Sequence, residues 1–110
     1  MPDLKAEFWM SALIRRAEIG GAFAAIVKRG DADAGACLVK VRQLDGTATL
    51  YRPIRNMVGD RVWLPKGPSE EREIDNYMHS RVDDDPDIWI VEIEDREGRH
   101  FLTEPIEITA

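Results

Sequence analysis

This chain predicts an α+β fold: a single small domain, mostly an antiparallel sheet of about five to six strands in hairpins, with two α-helices packed on it. Three observations carry that expectation. Two segments place apolar residues at helical spacing, several runs between them are rich in β-branched and aromatic residues, and Trp89, Val91 and Ile93 alternate with Ile90, Glu92 and Glu94 in the period of two of a strand. The 110 residues read as one domain spanning 1–110, a length that buries roughly two-thirds of the unfolded surface without help from metal or disulfide.

From Leu4 to Ile19 the chain lacks Pro and Gly and ends at Gly20-Gly21, which predicts a first helix with a glycine stop. At about 100° per residue, Trp9, Met10, Leu13, Ile14 and Ala17 form one apolar stripe, and Phe8, Ala12 and Ile19 form a second on the opposite side. A helix apolar on two sides needs two covers: the sheet, and then a second helix, the C-terminal tail or another copy of the protein. Phe8, Ala12 and Ile19 are therefore the candidate interface residues.

Ala22 to Lys28, Gly35 to Leu44 and Thr47 to Pro53 read as three strands of a meander. The Asp45-Gly46 pair predicts a two-residue type I′ hairpin between the last two, and Lys28 to Gly35, with small residues and two acids between glycines, an exposed loop. Arg55 to Asp60 is a further loop, and Arg61 to Leu64 a short strand, ended by Pro65 and suited to an edge. A second helix opens around Gly67 to Glu71 with Ser69 as N-cap, carries Ile74, Tyr77, Met78 and Val82 inward, and stops at Asp83-Asp84-Asp85-Pro86. Asp85 to Leu102 then reads as an acidic strand hairpin turning at Arg96-Glu97-Gly98, and Pro105 to Ile108 as a last short strand.

Composition narrows the function classes. No stretch approaches the ~20 apolar residues that cross a bilayer, and the N-terminus lacks the basic and apolar regions of a secretion signal, which points to the cytoplasm. A net charge of −6 argues against nucleic acid as a partner. That charge is unevenly spread: residues 1–68 hold 11 Lys and Arg against 7 Asp and Glu, and residues 69–110 hold 4 against 14. Interleaving of the two parts in one sheet would set acids beside bases across strands; the alternative is an acidic patch for a basic partner. The single Cys37 sits in an apolar run and reads as a small buried hydrophobe.

Paired carboxylates are the residues with chemical potential. Asp31 with Asp33, and Glu92 with Glu94, stand at i, i+2, which on a strand places both acids on one face, where they could share a divalent cation. Acids at that spacing serve equally well to solubilise a strand. His100 could act as a base oriented by Glu94 or Asp95 across the hairpin, or simply form a salt bridge there. His79 follows Asp75 by four residues on the second helix, but two ligands do not make a metal site. Phosphate-binding glycine loops and serine-hydrolase elbows are missing from the sequence, and no metal or cofactor is expected from it.

The blocks Ala6 to Trp9, Ala12 to Arg16, Arg29 to Ala36, Leu44 to Ala48 and Asp85 to Phe101 resemble a family of small alphaproteobacterial proteins, the domain-of-unknown-function family 1491, from about Leu4 to Leu102. The resemblance implies a stand-alone bacterial cytoplasmic protein and brings no reaction, cofactor or site residues with it. The reading that results is a non-enzymatic module that binds a protein partner or self-associates as a homodimer. The alternative is a metal-dependent hydrolase using the Asp31/Asp33 loop and the Glu92 to His100 hairpin, with Asp31, Asp33, Glu92, Glu94 and His100 as its catalytic set.

Overall fold

The computed structural model describes residues 6–33 and 35–107. Helix α1 (Ala6–Ile19) leads into β1 (Phe23–Lys28), β2 (Cys37–Arg42), β3 (Thr47–Arg55) and β4 (Arg61–Glu70), then α2 (Glu71–Asp84) and β5 (Trp89–Glu94). The α+β expectation holds, with two helices on one five-stranded, mostly antiparallel sheet.

The strand order is β1-β5-β2-β3-β4, which corrects the meander. β5 inserts between β1 and β2, antiparallel to the first and parallel to the second. The physical reason is legible in β5 itself. Trp89, Val91 and Ile93 are buried on one face, and Ile88 and Ile90 on the other. A strand apolar on both sides belongs in the middle of a sheet. The long loop after Lys28 lets the chain step over that central strand. β1, whose Phe23 and Val27 are exposed, takes the edge instead.

Three local expectations change as well. The β2–β3 connection is closed by the Gln43 N–H donating to Thr47 O, and only Gly46 has positive φ, at 87°. It is thus a three-residue loop with glycine at the left-handed position rather than a type I′ turn. Ser69 lies in β4, paired with Ala48, so the N-cap of α2 is Glu70, with no side-chain cap bond. Among the described residues no return strand follows β5: Asp95 to Gly98 form a turn, and His100 to Glu107 run irregularly except for a parallel bridge from Ile106 to Trp63 on the outer side of β4. Ile108, the end of the expected last strand, and Leu4, the expected start of α1, lie outside the described residues.

The ends of α1 and α2 follow the sequence. Gly21 has φ of 91°, its N–H bonds Glu18 O, and the Ala22 N–H bonds Ala17 O, a Schellman stop. α2 ends at Asp84 before Pro86. Met10, Leu13 and Ala17 of α1 pack over Val39, Val41, Val91 and Ile93 on one sheet face, whereas Ile74 and Met78 of α2 pack over Leu38, Leu50 and Ile90 on the other.

Candidate functional site

Along β2, Leu38, Lys40 and Arg42 face α2, and the parallel register sets Lys40 beside Glu92 and Arg42 beside Glu94. Lys40 Nζ lies 2.7 Å from Glu71 Oε2, 2.7 Å from Asp75 Oδ1 and 3.2 Å from Glu92 Oε1. Arg42 reaches Glu94 Oε1 at 2.6 Å and Glu71 at 3.3 Å. The basic early part of the chain and the acidic late part thus meet across strands and helix. Burial, with the Lys40 side chain only 4% exposed, would lower its pKa, but the bonds to Asp75, Glu71 and Glu92 outweigh it and raise the value. A lysine locked in its charged form is a structural cation, neither nucleophile nor base.

The five candidate catalytic residues occupy three separate places. Glu92 and Glu94 belong to the network just described, on the α2 side. The Asp31/Asp33 loop lies at the start of β5: the Asp31 N–H donates to Asp87 O at 3.0 Å, Trp89 Nε1 donates to Asp31 O at 2.7 Å, and Asp31 Oδ1 accepts the Asp33 N–H at 2.9 Å. His100 follows the far end of that strand, and six strand residues span on the order of 20 Å. It also sits on the α1 side, its ring 5.0 Å from that of Tyr51, with Nδ1 accepting the Leu102 N–H at 2.9 Å. Burial lowers its pKa, and the expected carboxylate partner is replaced by backbone, since Asp95 is held by Arg99 at 2.7 Å. No group of three or more His, Cys, Asp or Glu positioned for a metal occurs among the described residues. Asp75, the would-be partner of His79, is engaged with Lys40. Cys37 is buried, which pushes its thiol up to about 12 and leaves it unreactive at neutral pH.

What the molecule does present is apolar surface. Of the second stripe of α1, Phe8 is 70% and Ile19 77% exposed, and Ala12 is also open. Past the glycine stop, Phe23 and Val27 of β1 are 71% and 55% exposed. They project from the α2-side face of the sheet at its β1 end, beyond the cluster that α2 covers. Sequence reasoning did not single out these two residues, because it gave no face or strand order to the run from Ala22 to Lys28. The run Phe23 to Val27 is apolar throughout, so no alternation in the sequence marked which of its side chains would be exposed. Phe8 also lines a depression of about 290 Å³ with Glu7, Ser11 and Ala32. An ion pair from Arg29 to Glu7 holds the Asp31 loop against this end of α1.

The geometry defines a class: a small mixed sheet with one helix on each face and no assembled catalytic centre among the described residues. The chain belongs to the family described as "Protein of unknown function (DUF1491)", which it matches over residues 4–103. The crystal structure of a DUF1491 family protein from Caulobacter crescentus CB15 is 51% identical, with a TM-score of 0.89 over 96% of this chain and 100% of that one. An NMR structure of a DUF1491 family protein from the same organism is 50% identical, with a TM-score of 0.86 over 98% and 99% of the two chains. The solution structure of protein Atu0922 from A. tumefaciens is 35% identical, with a TM-score of 0.81 over the whole of both chains. No curated protein matches the sequence. No helix among the described residues is long and apolar enough to cross a membrane.

Proposed function

We propose that this protein is a non-enzymatic, cytoplasmic interaction module that self-associates through the outer stripe of α1 and the open edge of β1. The observation that carries the reading is the exposure of Phe8 and Ile19 on the outer side of α1 and of Phe23 and Val27 on β1, a strand that among the described residues pairs on one side only. An unpaired strand edge with apolar side chains is a template for another strand. A second copy fits it because two β1 edges can pair antiparallel about a two-fold axis, each offering the same surface to the other. The β-bulge between Ile26 and Lys28 confines such pairing to Phe23 through Ile26. The opposite sheet edge is less open, since the tail bridges to β4 at Trp63.

Light scattering at micromolar concentration should give twice the 12.5 kDa chain mass. Phe8→Glu and Phe23→Glu should each return the monomer with the fold intact. A wild-type protein that stays monomeric at every concentration overturns the reading.

A further inference from the structure

On the α2 side, away from the Lys40 network, three cations gather on one phenol. Arg52 of β3 and Arg81 of α2 each place Nη1 3.2 Å from Tyr77 Oη, so the two guanidinium groups lie within roughly twice that distance of each other. Lys66 of β4 holds its ammonium 4.8 Å from the centre of the Tyr77 ring, and the Arg52 guanidinium carbon lies 5.7 Å from it. Unlike Lys40, Arg42 and Arg99, these three have no carboxylate within ion-pair distance among the described residues, although the chain carries a net charge of −6. Arg52 Nε is shut off from solvent and has no hydrogen-bond partner. Burial would raise the Tyr77 pKa, but the bonds from Arg81 and Arg52 outweigh it and lower the value, so the local field favours negative charge.

We propose that Arg52, Lys66, Arg81 and the Tyr77 hydroxyl form a binding site for the phosphate group of a small phosphomonoester. Two planar guanidinium forks from different elements and an exposed ammonium offer donors in several directions. A tetrahedral oxyanion with several acceptor oxygens satisfies that arrangement better than a planar carboxylate does. Their bonds to Tyr77 Oη orient Arg52 and Arg81, and Lys66 brings an exposed ammonium over the Tyr77 ring.

Titration with inorganic phosphate and with phenyl phosphate, followed by amide chemical shifts at constant ionic strength, tests the proposal. The expected result is saturable shifts confined to residues around 52, 66, 77 and 81, with phenyl phosphate binding tighter if the phosphomonoester is the ligand. Arg52→Gln and Arg81→Gln should each weaken binding at least tenfold, and Arg72→Gln, on the same helix but outside the cluster, should not. Ultraviolet titration gives a second readout: phosphate should raise the ionisation midpoint of the tyrosine that Tyr77→Phe removes. Shifts that fail to saturate, that sodium chloride reproduces, or that survive in both arginine variants would overturn the assignment.

Discussion

Both helices are 14 residues long and cover opposite faces of one sheet, yet only α2 is finished for water. Outward positions on α2 are Arg72, Glu73, Asn76, His79, Ser80 and Asp83, all exposed and polar; on α1 they include Phe8, Ala12 and Ile19. The anchoring differs too. α2 adds to its apolar stripe the ion pairs of Glu71 and Asp75 with the buried Lys40, whereas α1 relies on Met10, Leu13 and Ala17, the stacking of Trp9 on Trp63, a bond from Arg16 Nε to Phe101 O and an exposed ion pair of Glu7 with Arg29. One buried stripe is enough to dock a helix. The second stripe of α1 is therefore surplus to folding, and each large apolar side chain left in water forgoes about 1.5–3 kcal/mol that burial would supply.

The largest effects should come from the inner stripes. Leu13→Ala and Ile74→Ala remove fully buried side chains from the two faces and should each lower the unfolding free energy by about 2–5 kcal/mol in urea denaturation. Equal losses would show that the helices are docked equally firmly. A loss below about 1 kcal/mol at Leu13 alone would mean that α1 is loosely held, and the comparison would fail.

Smaller by a step is Lys40→Met, which strips three carboxylates of their shared cation. Because Glu71 and Asp75 keep 29–39% of their surface exposed, the cost should be about 2–3 kcal/mol, below that of a fully buried pair. An unchanged midpoint would show that α2 needs no ionic anchor.

Asp95 sharpens the other end of the comparison, since Arg99 bonds both its carboxylate and Gly20 O at the end of α1. The Arg99 guanidinium holds this carboxyl at about 2, below the usual 3.8. A depressed folded-state value means that the contact stabilises above about pH 4 and fades as the pH falls toward 2. Asp95→Asn should cost about 1–2 kcal/mol near neutrality, discounted because Arg99 is open to solvent, and should flatten the acid limb of the stability profile. An acid limb as steep as the wild type would contradict the contact.

Fold class, both helix stops and the inner stripes were legible because each follows from local rules: periodicity, a glycine at positive φ, a proline. Strand order was not. It turns on the preference of Ile88 to Ile93 for a position buried on both faces, a long-range competition that adjacency in sequence hides. The uneven charge made it legible that acids and bases would meet across strands, but not that Glu92 and Glu94 meet Lys40 and Arg42, which sit about fifty residues away on a parallel neighbour. The Tyr77 cluster escaped for the same reason: its members come from β3, β4 and α2, and nothing in the spacing of Arg52, Lys66 and Arg81 announces that they meet.

Amide hydrogen exchange of Phe23 to Lys28, followed from low to high micromolar protein, probes the open edge most directly. Self-association through β1 predicts that the amides turned away from β5 gain protection as concentration rises, and that Phe23→Glu abolishes the gain. Protection that stays the same at every concentration in the wild type would contradict the account.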